Sequence, residues 1–311
     1  MKESPSISIV IPLYNEAENI VPFWEEIKET LSTIPPAEVI FVDDGSTDGS
    51  AEILRKLIPT DPRLRAVVFS SNAGQTPAMG AGVDAATGKI VLFLDGDRQN
   101  DPHDIARLLS KLDEGYDVVA GWRRRRNDPF LRSFVSRIAN RLVRATTGVA
   151  LHDTGCSLKA FRAPFVKRIE FRGEIHRLLP VYALWQGARI SEIEVNHRPR
   201  VAGVSKYGFS RIIKILLDLL LAQFTVRWRR RPMYFFGMLA AWALGLAFLI
   251  LIWALILKFS FATSLIQTPL PLFSALLVIL AMQMLSMGIV ADLLMRTDTR
   301  KPYEIKESLG F

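Results

Sequence analysis

The sequence predicts an α/β domain with a mostly parallel sheet and helices on both faces, followed by amphipathic interface helices and two transmembrane helices. Three observations lead to this fold class. Short apolar runs alternate with helical patterns up to Ala120, polar clusters follow three of those runs, and two long stretches near the C-terminus carry no charge. Alternating strands and helices are typical of a parallel sheet, because each parallel connection needs a crossover.

The strands and helices of the domain are predicted from the short apolar runs and from the helical spacing of apolar residues between them. Five strands are predicted, at Ile7–Pro12, Glu38–Val42, Leu64–Phe69, Ile90–Leu94 and Tyr116–Ala120. Helices are predicted between the strands, at Ala17–Leu31, Ala51–Ile58, Gln75–Ala86 and from Pro102 to Leu112. We expect Ser46 and Asp48 to cap the second helix, because their side-chain oxygens can accept its first backbone N–H groups.

The composition excludes two broad classes of protein. Hydrophobic residues make up 50% of the 311 residues, too many for a disordered chain, and a single cysteine excludes a disulfide-stapled domain. The net charge is +8, which a surface next to anionic lipid explains. The run Arg123–Arg126 could be taken as a nucleic-acid site, but aromatic residues do not interleave it. We therefore expect no nucleic-acid partner.

Two uncharged stretches, Pro232–Leu257 and Phe259–Ala291, each exceed the ~20 apolar residues that cross a bilayer. Pro269 and Pro271 place the start of the second helix near Leu270. A pair of buried core helices is the alternative, but core helices seldom lack a polar face over such a length. The sequence therefore predicts two transmembrane helices joined by a short loop.

The charges around this hairpin indicate its orientation. The connecting loop holds only Lys258, whereas the flanks are rich in basic residues, namely Arg227, Arg229, Arg230, Arg231, Arg296, Arg300 and Lys301. Basic residues favour the cytoplasmic side of a membrane. We therefore expect an integral protein of the inner (cytoplasmic) membrane, with the catalytic domain and both termini in the cytoplasm.

These features divide the chain into three predicted parts. Residues 1–208 form a cytoplasmic domain, 209–231 a juxtamembrane amphipathic helix, and 232–311 the hairpin with a short cytoplasmic tail. Within the domain, Phe130–Val143 carries its apolar residues on one helical face, as in helices that lie among lipid headgroups. A core-packed helix with a basic exterior is the alternative. Phe209–Phe224 has a similar composition and is expected to run along the membrane.

Three polar clusters follow predicted strands, where ligands bind in open α/β sheets. The clusters are Pro12–Glu16, Asp43–Ser46 and Asp95–Gln99. Carboxylates gathered at one edge repel each other, so a divalent cation that carries a diphosphate is their natural partner. Asp95 and Asp97 lie two residues apart and point the same way in an extended chain, and Gln99 continues that face. A single D-x-D can be a solvated turn, but three such clusters favour a ligand site.

The motifs resemble those of a known family. IVIPLYNE, VDDGSTDGS, SNAGQTPAMGAGVDAATG and LDGDRQ look like the nucleotide-sugar domain of family 2 glycosyltransferases, which has the GT-A fold. AGWR, HDTGCSLKAFR and VNHRPRVAGVSKYG, followed by two apolar spans, resemble the polyprenyl-phosphate glycosyltransferases. That group includes dolichol-phosphate mannose synthase and bacterial undecaprenyl-phosphate sugar transferases. The resemblance implies an inverting, metal-dependent transfer of a sugar from a UDP- or GDP-sugar to undecaprenyl or dolichyl phosphate, for cell-envelope glycans.

The resemblance also implies roles for individual residues. The base and ribose would be held by Pro12, Tyr14, Glu16 and Asp44. A Mg²⁺ or Mn²⁺ ion at the diphosphate would be bound by Asp95, Asp97 and Gln99. Phosphate groups would be contacted by Arg123, Arg132 and Lys206, and Ser205 joins the substrate-binding set. The sugar and acceptor side would be lined by Asp153 and Thr154. The expected catalytic residues are Asp97, Arg123, Arg132 and Asp153.

The chemistry of a phosphate acceptor agrees with the residues present. A phosphate monoester has a second pKa of about 6, so it is largely a dianion at cytoplasmic pH. Such a nucleophile needs no general base, unlike a sugar hydroxyl, and the sequence offers no convincing base. The basic residues after the fifth predicted strand are what a dianion needs, although which arginine of Arg123–Arg126 contacts it stays open.

Two other functions stay open at this point. A processive polysaccharide synthase would share the N-terminal domain, but it normally has more spans and a Q-x-x-R-W motif. Gln223 and Arg227-Trp228 are one residue too far apart for that motif. A non-catalytic, membrane-anchored nucleotide-sugar binder would be favoured by an incomplete metal set, whereas the predicted set here is complete. The sugar, the nucleotide, the polyprenol length and a homo-oligomer are also left open.

Overall fold

The structure is a computed structural model, and it describes residues 5–124, 151–173, 175–198, 232–261, 264–266, 268–297 and 302–311. The chain forms two compact units. The first comprises Met1–Leu220 with Lys301–Phe311, and the second comprises Leu221–Arg300. The predicted interface helices, Phe130–Val143 and Phe209–Phe224, lie outside the described residues.

The first unit is built on an eight-stranded sheet with the strand order β7-β5-β6-β4-β1-β2-β3-β8. Its strands are β1 (Ile7–Leu13), β2 (Ala37–Asp43), β3 (Leu64–Phe69), β4 (Ile90–Phe93), β5 (Val118–Trp122), β6 (Lys159–Arg162), β7 (Ile190–Glu194) and β8 (Ile305–Leu309). The neighbours β4, β1, β2 and β3 run parallel, as do β5 and β7. The five strands predicted from the sequence are confirmed, and β6, β7 and β8 are additional.

Helices cover both faces of the sheet, as predicted. They are α1 (Ala17–Leu31), α2 (Ser50–Leu57), α3 (Gln75–Ala85), α4 (Asp104–Asp113), α5 (Ala163–Val166) and α6 (Leu179–Trp185). One core lies between the sheet and α1, α2 and α4, and the second lies between the sheet and α3, α5 and α6. Successive residues of β1 alternate between these cores, Ile9 and Ile11 in the first and Val10 in the second, because side chains of a strand alternate across the sheet.

The second unit contains two long helices, α7 (Pro232–Phe261) and α8 (Leu270–Thr297). Both are long and apolar enough to cross a membrane, with mean hydropathies of 2.5 and 2.2 in their most apolar windows. Along α7, Ala240, Ala247 and Ala254 recur every seven residues and are buried. Ser274 of α8 donates a hydrogen bond of 2.9 Å to the Ala247 carbonyl. Small residues let two helix backbones approach closely, so this stripe lies at the contact between α7 and α8.

The C-terminal tail, which the sequence analysis grouped with the hairpin, provides the edge strand β8 of the catalytic sheet. It pairs antiparallel with β3. The Tyr303 ring stacks on Phe69 with 4.7 Å between centroids, and its hydroxyl donates to Asp84 at 2.9 Å. Arg55 of α2 donates from Nε to Glu307 at 2.9 Å. The tail is therefore joined to the first unit by backbone, ring and ionic contacts.

We expect Gly45→Ala to lower the unfolding temperature more than Gly49→Ala. Both glycines have positive φ, +68° and +91°, so either substitution costs about 1–2 kcal/mol of backbone strain. Only at Gly45 does an added Cβ also meet backbone, 2.5 Å from the Ser71 carbonyl carbon, whereas at Gly49 the nearest atom is 4.0 Å away. Thermal unfolding of both variants in detergent, followed by circular dichroism, checks the ranking. Equal midpoints would contradict the close approach at Gly45.

Candidate active site

The loops that follow β1 and β2 are tied together by side chain–backbone hydrogen bonds. Asn15, with φ of +55°, donates its N–H to the Ser46 hydroxyl at 2.8 Å, and its side-chain oxygen accepts the Thr47 N–H at 2.8 Å. The Ala17 N–H donates to Asp48 at 2.9 Å. Two of the predicted ligand clusters therefore form one connected surface at the carboxyl edge of the sheet.

These contacts correct the capping expected for α2. Gly49, in a left-handed conformation, is the residue before the helix, and it makes no side-chain cap. The Ser46 hydroxyl instead accepts the Asn15 N–H in the loop before α1, and one oxygen of Asp48 accepts the N–H of Ala17, the first residue of α1. The other oxygen of Asp48 accepts the Ser50 N–H at 3.1 Å. The polar residues of this motif thus hold the site together and have only a minor role at the start of α2.

The residues predicted for the base and ribose gather around the same two loops. Pro12 is buried in β1, opposite Val42 of β2. Tyr14 and Glu16 are partly exposed just after β1. Asp44 directly follows β2 and is buried. The structure therefore brings all four residues to the carboxyl ends of adjacent parallel strands.

Asp44 is held by protein donors. Its carboxylate accepts the Ala73 N–H at 2.7 Å, the Gly74 N–H at 2.9 Å and the Asn72 amide at 2.9 Å. These donors precede α3, so Asp44 fixes the loop that leads into that helix. Burial nevertheless raises the pKa of Asp44, and the backbone hydrogen bonds oppose the shift.

Asp43 has a different environment from that of its neighbour. Its Oδ1 accepts the Ser46 N–H at 3.0 Å, whereas no donor among the described residues reaches its buried Oδ2. Burial is the largest cause that raises the pKa of Asp43. A buried acceptor without a partner is unfavourable, so a ligand N–H would be well placed here. The sequence analysis assigned the ligand contact to Asp44, whereas the free acceptor lies on Asp43.

Asp95 and Asp97 follow β4, as the D-x-D spacing predicts. The Gln75 amide at the start of α3 donates to Asp95 at 2.8 Å. The Gln99 N–H donates to Asp97 at 3.2 Å, which places all three predicted metal ligands in one loop. Burial, and then the charge of Asp97, raise the pKa of Asp95 to about 6. Two carboxylates that disfavour each other's charge in this way provide a site for a cation.

The residues around this pair fit a divalent ion that is shared with a diphosphate. Among the residues the structure describes, no third acidic, His or Cys side chain joins the pair. Mg²⁺ commonly takes only one or two carboxylates from the protein and completes its shell with substrate phosphates and water. An oxygen-only donor set of this size therefore fits Mg²⁺ or Mn²⁺ better than zinc.

Arg123 and Asp153 form a buried ion pair at the end of β5. Arg123 donates from Nε to Asp153 at 2.8 Å and from a terminal nitrogen at 3.1 Å. Burial disfavours the charged form of Arg123, but its hydrogen bonds with Asp153 outweigh this and raise the guanidinium pKa. Thr154, predicted for the acceptor side, is buried next to this pair in the chain. Much of the donor capacity of Arg123 is thus directed at a protein carboxylate.

Lys159 is a charged residue of the site that the sequence analysis missed. It begins β6, is fully buried, and donates to the Cys156 carbonyl. Burial lowers its pKa to about 8, and the charges of Cys156, Asp153 and Asp95 oppose the shift. A lysine inside a motif such as HDTGCSLKAFR carries no spacing signal, so its position became visible only in the fold. It supplies a second cation to the carboxylate cluster.

His176 was also missed by the sequence analysis. It lies in a single 3₁₀ turn, Ile175–Arg177, and its Nδ1 shares a hydrogen bond of 3.0 Å with the hydroxyl of Thr76 in α3. Burial, followed by the charge of Arg177, lowers the pKa of His176 to about 3. The imidazole is therefore neutral near pH 7, next to the helix whose first residue contacts Asp95.

Several predicted residues are not part of this described cluster. Arg124 is exposed, lies over the Trp122 ring and pairs with Glu194 at 3.5 Å. Arg132, Ser205 and Lys206 lie outside the described residues, as do Arg125 and Arg126.

Comparisons with solved structures establish the fold. Glucosyl-3-phosphoglycerate synthase from Mycobacterium tuberculosis, solved with Mn²⁺, UDP and phosphoglyceric acid, superposes with a TM-score of 0.54 at 21% identity, over 71% of this chain and 78% of that one. Mannosyl-3-phosphoglycerate synthase from Rubrobacter xylanophilus gives a TM-score of 0.57 at 16% identity, over 71% and 74%. The GT-A-type fold expected from the motifs is confirmed.

Comparisons with sequences establish the family. A dodecaprenyl-phosphate galacturonate synthase from Rhizobium johnstonii is 40% identical over 95% of this chain and 89% of its own length. An undecaprenyl-phosphate 4-deoxy-4-formamido-L-arabinose transferase from Edwardsiella ictaluri is 36% identical over 92% and 87%. The model of glycosyl transferase family 2 matches residues 8–169, just over half of the chain. This chain, with its carboxylate pair at the edge of a GT-A-type sheet, therefore belongs to glycosyl transferase family 2.

Proposed function

We propose that this protein transfers a sugar from a UDP- or GDP-sugar to a polyprenyl phosphate, with inversion at the anomeric carbon, at the cytoplasmic face of the inner membrane. The observation that carries the proposal is the charge cluster at the carboxyl edge of the sheet. Its carboxylates, Asp95, Asp97 and Asp153, lie with two buried cations, Arg123 and Lys159, in a chain that also has two long apolar helices.

The two curated relatives support the acceptor. The names of both contain a polyprenyl phosphate and a sugar, and both align with more than nine-tenths of this chain. The names differ in the sugar, galacturonate in one and formamido-arabinose in the other. We therefore propose the polyprenyl-phosphate acceptor for this chain and leave the sugar open.

The carboxylates support a divalent metal cofactor, Mg²⁺ or Mn²⁺. Asp95 and Asp97 would hold it, with Gln99 as the third predicted ligand. When bound, the metal would neutralise charge on the departing diphosphate. The Mn²⁺ and UDP in the M. tuberculosis neighbour agree with a metal-dependent reaction. Three carboxylates against two buried cations leave the cluster with a net negative charge, which favours a further cation.

The reaction needs few protein groups beyond these. An oxygen of the acceptor phosphate attacks the anomeric carbon, and the bond from that carbon to the nucleoside diphosphate breaks. The electron pair leaves with the diphosphate. The attacking oxygen is already anionic, so no proton has to be removed. Asp153 would act as a carboxylate that orients Arg123, because Asp153 is buried and accepts two hydrogen bonds from the largely buried Arg123 side chain.

The position of the tail in the chain supports the proposed orientation. Residues before the hairpin and residues after it both belong to the first compact unit. If α7 and α8 both cross the membrane, the chain crosses twice and returns to the side from which it left. The basic flanks of the hairpin favour the cytoplasm as that side.

Asp97→Asn is expected to lower sugar transfer by roughly 100-fold or more, because loss of a metal ligand costs at least as much as loss of an outer-shell partner. Activity with a panel of UDP- and GDP-sugars, polyprenyl phosphate and Mn²⁺ measures the effect, and EDTA should abolish transfer by the wild type. Asp113→Asn, at the exposed end of α4, is the matched control and should keep wild-type activity. Transfer that survives both Asp97→Asn and EDTA would exclude a metal-bridged diphosphate.

Asp43→Asn and Asp44→Asn should have separable effects. Asp43→Asn is expected to raise KM for the nucleotide sugar by about tenfold with little change in Tm, because Asp43 Oδ2 is free to accept a ligand N–H. Asp44→Asn is expected to lower Tm, because it weakens charge-assisted hydrogen bonds worth about 1.5–3 kcal/mol. Steady-state kinetics and thermal unfolding of both variants test this. The reverse pattern would assign the ligand contact to Asp44.

Free polyprenol should be a poor acceptor, with less than about 1% of the rate of polyprenyl phosphate, because its hydroxyl needs a general base, which contributes 10²–10⁴-fold. The two lipids are compared at equal concentration in the same detergent, with the sugar–lipid product measured by mass spectrometry. Comparable rates with polyprenol, or with the end of a growing polysaccharide, would contradict the phosphate acceptor and favour a processive synthase.

A further inference from the structure

Arg98 has an unusual backbone conformation. It lies between the predicted metal ligands Asp97 and Gln99 and has a φ of +57°, which residues with a side chain seldom adopt. The loop therefore depends on contacts of the Arg98 side chain to keep this conformation. These contacts lead away from the carboxylate pair, to the first helix of the domain.

Glu26 of α1 holds Arg98. One oxygen of Glu26 accepts a hydrogen bond from the Arg98 guanidinium, and both side chains are about four-fifths buried, at 21% and 22% exposure. No donor or acceptor among the described residues reaches Nε of Arg98. Glu26 is thus the partner through which the Arg98 head group is fixed.

The second oxygen of Glu26 holds another arginine, Arg198. Arg198 donates to Glu26 at 2.7 Å and to Asp101 at 3.0 Å. Its backbone N–H donates to the Gln99 carbonyl at 2.8 Å, and the neighbouring residues Asn100 and His197 form a β-bridge. The loop of residues 98–101 is therefore held on one side by α1 and on the other by the segment after β7.

The charges make Glu26 the centre of this arrangement. Two guanidinium groups converge on its single carboxylate. If that charge were removed, Arg198 would keep its ion pair with Asp101, Arg98 would keep none among the ion pairs described here, and the two cations would repel each other. Because Glu26→Gln keeps the shape of the side chain and one oxygen acceptor, its main consequence would be a displaced loop in a folded protein.

We propose that Glu26 is a positioning residue for the metal-binding carboxylate Asp97, and that it acts through Arg98 and Arg198. The inference rests on the proposed function, in that Asp97 binds a divalent metal. Groups that orient metal ligands from outside typically change metal affinity by about 10–100-fold when they are replaced. Glu26 is distant in sequence and belongs to none of the ligand motifs, so it is a position that sequence motifs leave unassigned.

The test is Mn²⁺ binding to the full-length protein in detergent, with free Mn²⁺ measured by electron paramagnetic resonance. Titrations are run with UDP or GDP, whichever tightens binding to the wild type. Glu26→Gln is expected to raise the Kd for Mn²⁺ by about tenfold with a Tm close to wild type. Glu25→Gln is the matched control, because Glu25 lies on the same helix, is 62% exposed and meets Lys28 only at 3.9 Å. It should leave the Kd unchanged.

A double-mutant cycle tests the route through Arg98. Arg98→Gln should raise the Kd about as much as Glu26→Gln, and the double variant should be no weaker than either single one. In transfer assays, saturating Mn²⁺ should restore much of kcat in Glu26→Gln, unlike in Asp97→Asn.

Three results would overturn the inference. They are a wild type that does not bind Mn²⁺, a Glu26→Gln variant with unchanged Kd, and additive effects of the two substitutions. The proposed function fails separately, if the wild type binds Mn²⁺ but transfers no sugar to polyprenyl phosphate. In that case a raised Kd in Glu26→Gln would still support the positioning role.

Discussion

The structure depends on the convergence of carboxylates at one edge of the sheet. Parallel strands bring their carboxyl ends to one edge of the sheet, so Asp43 at the end of β2 and the pair Asp95 and Asp97 after β4 lie along that edge because of the fold. Buried carboxylates need cations or donors nearby. Lys159, Arg123 and the N–H groups before α3 supply these from separate parts of the chain. The site is therefore one electrostatic unit, in which a metal and a diphosphate would complete a charge balance that the protein leaves unfinished.

The need of buried carboxylates for cations also determines which groups the arginines near the site bind. Arg123 is directed at Asp153, and Arg98 and Arg198 are directed at Glu26. Arg123 uses the planar fork of its guanidinium to bind both oxygens of Asp153, and Arg198 uses two nitrogens to bind two different carboxylates, which a point charge such as that of lysine would do less well. All three arginines therefore shape the protein, and their positions in the sequence motifs do not reveal this.

Much of the fold could be predicted from the sequence, because strands buried on both faces read as continuous apolar runs. β6, β7 and β8 could not, since they are short, contain lysine, arginine or glutamate, and either pair antiparallel or lie at an edge of the sheet. In the site, the spacing of Asp95 and Asp97 follows from strand geometry and was predictable. The pairing of Arg123 with Asp153 joins residues 30 apart, and the hydrogen bonds that hold Asp44 come from the segment before α3, about 30 residues away. Neither contact produces a pattern among residues that are close together in the sequence.

The C-terminal strand shows how membrane anchoring and folding are linked in this chain. Without β8, the apolar strand β3 would be the edge of the sheet, with unpaired N–H and C=O groups that favour aggregation. β8 carries Lys306 and Glu307, and charged residues are typical of edges that discourage further pairing. Because β8 follows both apolar helices in the chain, the catalytic sheet is completed only after the hairpin has been made. The sheet of the first unit is therefore completed by a strand that the chain supplies only after both apolar helices.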